Sequence, residues 1–272
     1  MKFRFGSIFK VVLCLVFLSH PVWAGGLEFP VDQMRHMFGV ALGVGPDYEG
    51  SDDYQFAAAP YGKFIFENSQ RYVMISGYEL QINLLNHPWL RFGPSLNYHP
   101  GRDDDVEDDV ISKMKEIDDT VELGGFIGVE FINGHNPRKR FLASIDFLAD
   151  VGDEYNGYYV SFSIRGWYPI ASHLDYGAGF VVTYADSDYM ETYFGVDKRD
   201  AQATGLPLFD ADSGVKDFRI NQILLFHVNQ HWHVGAGFQY RRLVNDAEDS
   251  PVVDKRGDEN QWLGGIGIGY RW

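Results

Sequence analysis

Apolar and polar residues alternate along most of this chain. From residue 37 onward, segments of roughly 10 to 14 residues carry an apolar side chain at every second position, and turn-forming residues separate them. This alternation predicts β-strands, because successive side chains of a strand point to opposite faces. The pattern predicts eleven strands: 37–46, 54–67, 71–85, 89–99, 121–132, 140–151, 158–169, 173–185, 216–229, 231–243 and 262–272.

The alternation is compatible with either a soluble sandwich or a transmembrane barrel. In the segment 231–240, for example, Trp232 and Val234 share one face, while His233 and Gln239 share the other. Strand length favours the barrel, since about 9–11 residues cross a bilayer, whereas soluble strands average about 5–6. Aromatic residues near the ends of the apolar faces also fit the girdles of a membrane barrel.

The connections between strands alternate in length, which a sandwich has no reason to do. Those at 86–88, 133–139, 170–172 and around Gln230 are short, those at 100–120, 186–215 and 244–261 are long, and 152–157 is intermediate. Membrane barrels have short periplasmic turns and long outer loops. The sequence therefore predicts an all-β fold, a transmembrane antiparallel β-barrel whose long loops face outward.

The number of strands needs one correction. Eleven is odd, whereas single-chain bacterial barrels have an even number of strands. We expect twelve strands, with ten as the alternative. The missing strand would lie around 26–36, or one assignment near 37–67 would be wrong.

Residues 1–24 have the composition of a cleaved signal peptide. Lys2, Arg4 and Lys10 precede the apolar run VVLCLVFL, and small residues before position 25 predict cleavage after Ala24. The barrel domain would then comprise 25–272. The single cysteine, Cys14, lies inside this signal, so the exported chain is predicted to have neither disulfides nor thiol chemistry.

The charge balance is strongly acidic. The whole chain has a formal net charge of −15, and loss of the signal makes it more negative, because that segment carries basic residues only. An acidic chain is a poor partner for nucleic acid, which excludes that class of function. The acidity fits either divalent-cation binding or a well-solvated surface, and the solvated surface is favoured.

Charged residues of both signs fall on the polar face of the predicted strands. In a barrel this face is the lumen, because a charge facing lipid near the midplane costs about 2–4 kcal/mol. Such residues can pair across a lumen and nearly fill it, which leaves room for a narrow pore but argues against a general porin. The predicted lumen-facing charges are Lys63, Glu79, Arg91, Glu122, Glu130, Asp146, Arg165, Asp175, Arg219, Arg241 and Arg271.

No segment predicts a catalytic, cofactor or metal site. The acidic run 102–110 could bind calcium but lacks the spacing of an EF-hand, so a solvated loop is the favoured interpretation. His227, His231 and His233 flank a turn without an accompanying carboxylate, and Ser172–His173 offers residue types without a fixed nucleophile and base. We therefore expect no enzyme activity and no cofactor.

The last third of the chain resembles the MipA/OmpV family of outer-membrane proteins. The specific elements are YFGV (193–196), TGL (204–206) and RLVNDAEDSPVV (242–253), and GVGPDYEGSDDY (43–54) and YHPGRDDD (98–105) are also similar. The resemblance implies an outer-membrane barrel and supplies no catalytic residues. The namesake of the family is described as a scaffold that connects a murein transglycosylase with a peptidoglycan synthase, and other members as adhesins, surface antigens or proteins that affect antibiotic susceptibility.

The resemblance therefore implies a scaffold role in cell-envelope maintenance, in which the barrel links a murein hydrolase with a synthase. The alternatives are a narrow channel for small solutes and a surface adhesin. The other expected partners are outer-membrane lipid and the barrel-assembly machinery. Tyr270 and Trp272 end the closing apolar pattern, which resembles the signal that this machinery recognises.

Overall fold

The computed structural model describes residues 36–272. The predicted signal peptide, its cleavage after Ala24 and the segment 26–35 lie outside the described residues. Among those described, no helix is long and apolar enough to cross a membrane.

The chain forms a closed barrel of twelve antiparallel strands, which confirms the predicted fold and strand number. Each strand pairs with its neighbours in the sequence, and β12 pairs with β1 to close the sheet. The strands are β1 (His36–Pro46), β2 (Tyr54–Ile65), β3 (Tyr72–Ser76), β4 (Glu79–Asn83), β5 (Leu90–His99), β6 (Thr120–Ile132), β7 (Arg140–Asp150), β8 (Tyr158–Ala171), β9 (Leu174–Ala185), β10 (Gly214–His227), β11 (Trp232–Leu243) and β12 (Asn260–Arg271).

The expectation of a wrong assignment near 37–67 is not met, because β1 and β2 match those segments, and the twelfth strand comes from 71–85, which the alternation assigned to one strand. A two-residue turn, Gly77–Tyr78, splits it into β3 and β4, and Ser76 pairs with Glu79 across the turn. Gly77 has a φ of 58°, a backbone conformation that glycine adopts without strain and that tight hairpin turns require. Before the turn, the inward residues have even numbers, such as Met74 and Ser76. After it they have odd numbers, such as Glu79 and Gln81, so the alternation changes phase at the turn.

The outer face of the barrel is strongly apolar. Phe56 is 82% exposed, Ile266 67% and Leu42 62%. A continuous exposed apolar surface of this kind is unfavourable in water and suits a lipid environment.

The two ends of the barrel differ in construction. The turn end carries the short connections 66–71, 84–89, 133–139, 172–173 and 228–231, whereas the loop end carries 47–53, 100–119, 151–157, 186–213 and 244–259. The loop end also holds four short helices, α1 (Ser187–Phe194), α2 (Lys198–Thr204), α3 (Asp246–Asp249) and α4 (Pro251–Asp254), and a 3₁₀ helix (Ile111–Lys113).

Local sequence explains where these helices begin and end. Asp186 caps α1 by accepting the Tyr189 N–H at 3.0 Å, and Asp197 caps α2 by accepting the Asp200 N–H at 2.8 Å. Gly205 ends α2 in the left-handed conformation, with a φ of 78°.

The helices and loops of this end pack over the mouth of the barrel, and we call this layer the loop cap. It has a small apolar core of its own. The fully buried side chains of this core include Tyr189, Met190, Phe194, Val252 and Val253. Ile111, Met114 and Ile117 add to it from the connection between β5 and β6. Burial of these side chains against each other orders the long loops and closes the loop end.

Candidate functional site

The lumen is the candidate site, because charged side chains from many strands meet there. Its layer nearest the loop cap is centred on Glu49, a residue of the connection between β1 and β2. The Glu49 carboxylate accepts hydrogen bonds from Arg241 Nη1 at 2.9 Å and the Tyr189 hydroxyl at 2.8 Å, and it forms an ion pair with Lys216.

The electrostatics of Glu49 follow from these contacts. Burial alone would raise the pKa of its carboxyl, but the charges of Lys216 and Arg241 outweigh burial and lower the pKa to about 2. Lys216 also pairs with Asp217 at 2.9 Å. Glu49 therefore stays ionised and ties the β1–β2 connection, α1 and two strands to one another.

A second layer surrounds the fully buried carboxylate of Glu122. It contacts His99 Nδ1 at 2.6 Å and accepts hydrogen bonds from Asn97 Nδ2 at 2.8 Å and from the hydroxyls of Tyr155 and Tyr159, both at 2.9 Å. These partners lie on β5, on β8 and in the connection between β7 and β8. The carboxylate thus joins the barrel wall to the base of the loop cap.

The middle of the lumen is bridged by an amide side chain. Gln81 Nε2 donates to Glu79 Oε1 at 2.8 Å and to Asp146 Oδ1 at 3.2 Å. Because β4 and β7 are not neighbours in the sheet, the contact between Gln81 and Asp146 crosses the lumen.

The layer nearest the turn end holds two groups of ion pairs. Arg91 Nη2 lies 2.7 Å from Glu130, and Arg140 Nη1 lies 3.3 Å from the same carboxylate. Asp175 pairs with Arg138 Nη2 at 2.5 Å and with His227 Nε2 at 2.8 Å. The lumen is therefore largely filled by paired polar groups along its length.

Each of the eleven charged residues assigned to the lumen from the sequence is buried or half-buried in the structure. The structure brings Arg91 to Glu130 directly and Glu79 to Asp146 through Gln81. The remaining ones lie as follows: Lys63 over the Tyr72 ring, Glu122 in the second layer, Arg165 beside Ser163, Asp175 with His227, Arg219 with Asp217, Arg241 with Glu49, and Arg271 half-buried at the turn end.

The sequence pattern missed several of the paired charges, each for a local reason. Glu49 lies in a connection, where strand parity has no meaning. Lys216 and Asp217 are consecutive, yet both are buried, because the pairing register with β9 shifts between Val215 and Asp217. Arg138 lies in a turn and folds back to donate to the carbonyls of Ala171 and Ser172.

The acidic run 102–110 is partly built into the loop cap. Asp108 pairs with Arg256 Nη2 at 2.6 Å and accepts the N–H groups of Val110 and Ile111. Burial would raise the pKa of Asp108, but these hydrogen bonds and the Arg256 charge lower it. Asp108 thus anchors the 3₁₀ helix to the connection that contains α4.

The histidines at the turn end separate into two groups. His227 and His233 are adjacent, with 2.8 Å between their Nδ1 atoms, whereas His231 Nδ1 contacts the carbonyl of Arg271 at 3.0 Å. Within 36–272, no group of three or more histidine, cysteine, aspartate or glutamate residues is arranged to hold a metal ion. Ser172 Oγ lies 3.3 Å from His173 Nδ1 in an exposed turn.

Two of the cavities that the described residues line lie inside the lumen. The larger, of about 110 Å³, is lined by residues that include Trp167, Ile223 and Asn221, and the smaller, of about 40 Å³, lies toward the turn end. Asp146, Arg165 and Trp167 line both cavities and so lie between them. Volumes of this size hold a few water molecules or one very small molecule, and they do not form a continuous solute path along the barrel.

Comparison with known proteins places this barrel in a family. The family model described as MltA-interacting protein MipA matches residues 38–272, which is nearly the whole described chain. The chain belongs to the MipA family. It is an outer-membrane protein, and curated relatives of the chain carry that description: outer membrane protein OmpV of Vibrio cholerae is 32% identical over 91 residues, and outer membrane protein Omp26La of Vibrio anguillarum is 31% identical over 91 residues.

These matches have a limited extent. Each covers 34% of this chain and 34% of the relative, so the chain spans about a third of the length of the curated relatives it matches. Among solved structures, the COG4313 outer membrane channel of Pseudomonas putida F1 has a TM-score of 0.47 at 7% identity, covering 93% of this chain and 100% of that one. OmpT of Vibrio cholerae has a TM-score of 0.40 at 11% identity, covering 87% and 96%. Neither structural likeness carries an argument about the activity of this MipA-family barrel.

Proposed function

We propose that this barrel is an interaction protein of the outer membrane that holds a murein transglycosylase, and with it a peptidoglycan synthase, at its periplasmic end. In this role it is neither an enzyme nor an open channel. The description of the family as MltA-interacting supports the first partner.

The observation that carries the proposal is the filled lumen. Ion pairs and hydrogen bonds occupy it in several layers, the cavities between them form no continuous path, and the loop cap covers one mouth. A barrel built in this way has little capacity to pass solutes. The surfaces that it offers to partner proteins are then its two ends.

The turn end has the properties expected of the docking surface. Short turns of membrane barrels face the periplasm, where enzymes of the cell wall work. The charges of this barrel are also segregated, since carboxylates dominate the loop end and basic groups dominate the turn end. The acidic residue of the turn connections is Glu67. Their basic and histidine residues are Arg71, His87, His135, Arg138, Lys139, His173 and His231.

A basic docking surface predicts an acidic patch on the partner, because complementary charge raises both the association rate and the specificity of an encounter. Lys139 and Arg71 suit a test of this. Arg71 is exposed, Lys139 is half-buried with its ammonium over the Tyr168 ring, and neither has an ion pair with a carboxylate among the described contacts.

The experiment measures the affinity of the full-length protein in lipid nanodiscs for a purified murein transglycosylase and for a bifunctional peptidoglycan synthase. We expect the double variant Lys139→Glu with Arg71→Glu to weaken transglycosylase binding by about tenfold. Two matched controls, Asp104→Lys at the loop end and Glu67→Lys at the turn end, should leave binding unweakened.

The proposal fails if the wild-type protein binds neither enzyme at low salt. It also fails if the Asp104→Lys variant loses binding while the turn-end double variant retains it. A mobility shift on heating, typical of intact barrels, verifies that each variant is folded before its affinity is compared.

A further inference from the structure

The wall of the barrel is incomplete on one side. Strands β3 and β4 have five residues each, whereas the other strands have 10 to 14. Five residues span only about 17 Å, and about 9–11 are needed to cross a bilayer. The β3–β4 hairpin therefore begins at the turn end and stops partway through the wall.

Above this hairpin, one edge of β2 is left without a strand partner. The pairing of β2 with β3 covers Tyr61–Ile65, and the Gly77 N–H adds one bond to the carbonyl of Pro60 at 2.8 Å. Among the described strands, none pairs with this side of β2 from Tyr54 to Ala59. Pro60, which has no N–H to donate, stands where the pairing ends, as proline does at sheet edges.

The opening is bounded on its other sides. On the β5 side, the Tyr98 N–H donates to the Tyr78 carbonyl at 3.2 Å, after which β5 ends at His99. On the loop-end side, Asp47 accepts hydrogen bonds from Gln55 Nε2 and from the Glu107 N–H, both at 3.0 Å. The result is a window between β2 and β5, closed above by loops and below by the hairpin turn.

The side chain of Tyr78 fills this window. It packs against the lumen-side cluster of Ala57, Ile223 and Leu263, and its ring centroid lies 5.5 Å from that of Tyr98. Tyr98 lies on the outward face of β5. A ring that contacts both the lumen cluster and an outward residue lies within the thickness of the wall.

An apolar route leads through this position. Outside it, Phe56 on the free edge of β2 and Leu96 on β5 are exposed. Inside it, Trp167 packs against the same cluster as Tyr78, and both Trp167 and Ile223 line the cavity of about 110 Å³.

We propose that this window is a lateral port, closed by the Tyr78 ring, through which a small amphipathic molecule passes between the membrane and the central cavity. An unpaired strand edge is unfavourable in hydrocarbon and is retained only where something covers it, and here one aromatic ring on a two-residue turn does so. A ring held in this way can swing aside without breaking a strand pair. The cavity behind it offers Asn221 and Arg165 to a polar group and Trp167 to an apolar one.

The port is tested with a thiol placed in the cavity. Cys14 is the single cysteine of the chain, so Ser163→Cys, combined with Cys14→Ser, introduces the sole thiol on the cavity wall. The folded protein in lipid vesicles is treated with either of two reagents of the same chemistry, neutral methyl methanethiosulfonate or membrane-impermeant sulfonatoethyl methanethiosulfonate. The modification rate is measured by mass spectrometry.

We expect Tyr78→Ala to accelerate modification by the neutral reagent on the order of tenfold over Tyr78→Phe, since local opening then needs no movement of the ring. The rate of modification by the charged reagent should rise less than about twofold, because this reagent would have to enter through the capped ends of the barrel. Tyr176→Ala, which removes another ring outside the window, is the matched control and should leave both rates unchanged.

Equal rates for Tyr78→Ala and Tyr78→Phe with the neutral reagent would overturn the port, and so would equal acceleration of both reagents. If Tyr78→Ala does not give the folded mobility shift, Tyr78→Trp provides the second test. The larger ring should slow the neutral reagent relative to the wild-type window, and an unchanged rate would count against the proposal.

Discussion

At the scale of single residues, this barrel depends on buried charges whose partners are distant in the sequence. Glu49 meets Arg241 and Lys216, and Glu122 meets His99 and Tyr155. Removing one partner of such a group leaves an uncompensated buried charge, which is far more costly than losing an exposed ion pair. The polar alternation predicted that charges face inward, but the partners depend on which strands the closed barrel brings together.

We predict that Glu49→Gln weakens the loop cap by on the order of 3–5 kcal/mol, because Lys216 and Arg241 lose their shared carboxylate. The pKa of Glu49 in the folded protein is about 2, below its usual value of 4.5. A lowered pKa stabilises the cap above about pH 4.5, and that contribution is lost as the pH falls toward 2.

Hydrogen exchange of α1 amides at pH 6, 4 and 2.5 measures both effects. Wild-type protection should fall across this range, whereas the Glu49→Gln variant should start lower and change less. Asp104→Asn, at an exposed position of the same end, is the control. Wild-type protection of α1 in the Glu49→Gln variant at pH 6 would show that the buried ion pairs do not hold the cap.

At the scale of elements, the pairing of β1 with β12 is the contact that closes the sheet into a barrel. The register runs from Met37 opposite Arg271 to Val44 opposite Gly264. Gly39 allows a close approach here, since a Cβ at this position would lie 2.6 Å from the carbonyl oxygen of Ile268. Trp272 extends this contact, because its N–H donates to the His36 carbonyl at 3.2 Å and its ring stacks on His36 at 5.6 Å.

We predict that Trp272→Ala lowers the amount of assembled protein in the outer membrane several-fold, since it removes the aromatic residue of the proposed assembly signal and the stacking on His36. Trp272→Phe should retain most of it. Immunoblots of outer-membrane fractions, run with and without heating, measure the folded barrel. Trp262→Ala, at the other end of the same strand, is the control, and wild-type levels of Trp272→Ala would contradict the prediction.

Strand positions were largely predictable from the sequence, and one hairpin was not. Ten of the predicted segments correspond to single strands with nearby ends, because period-two alternation is a local property of the chain. The segment 71–85 contains both β3 and β4. The two-residue turn at Gly77 shifts the alternation by one position without inserting a polar loop, so the segment was assigned to one strand.

At the scale of the whole molecule, the filled lumen and the loop cap make this a closed barrel. Asp146, Arg165 and Trp167 separate the two internal cavities, and the core of the cap covers the loop end. The separated cavities and the covered loop end favour the proposed interaction role over the alternative of a narrow channel.

We predict that the purified protein in a planar bilayer shows no steady ohmic conductance step. Replacing 187–204 by a short glycine–serine linker removes α1 and α2 and should permit transient openings, because it uncovers the mouth of the lumen. Phe56→Ala, on the lipid face, should behave like the wild type. A reproducible conductance step from the wild-type protein would favour the channel.

The sequence by itself determined that this chain is a β-barrel with an apolar outside and a charged inside. Alternation, strand length and the alternating connection lengths favour a membrane barrel, and the cost of placing a charge in lipid turns the charges inward. Only the tertiary structure decided which charges pair, how the register shift turns both Lys216 and Asp217 inward, and where the wall is left open beside Tyr78. Those features depend on contacts between residues far apart in the chain, and a local pattern does not predict which distant residues will meet.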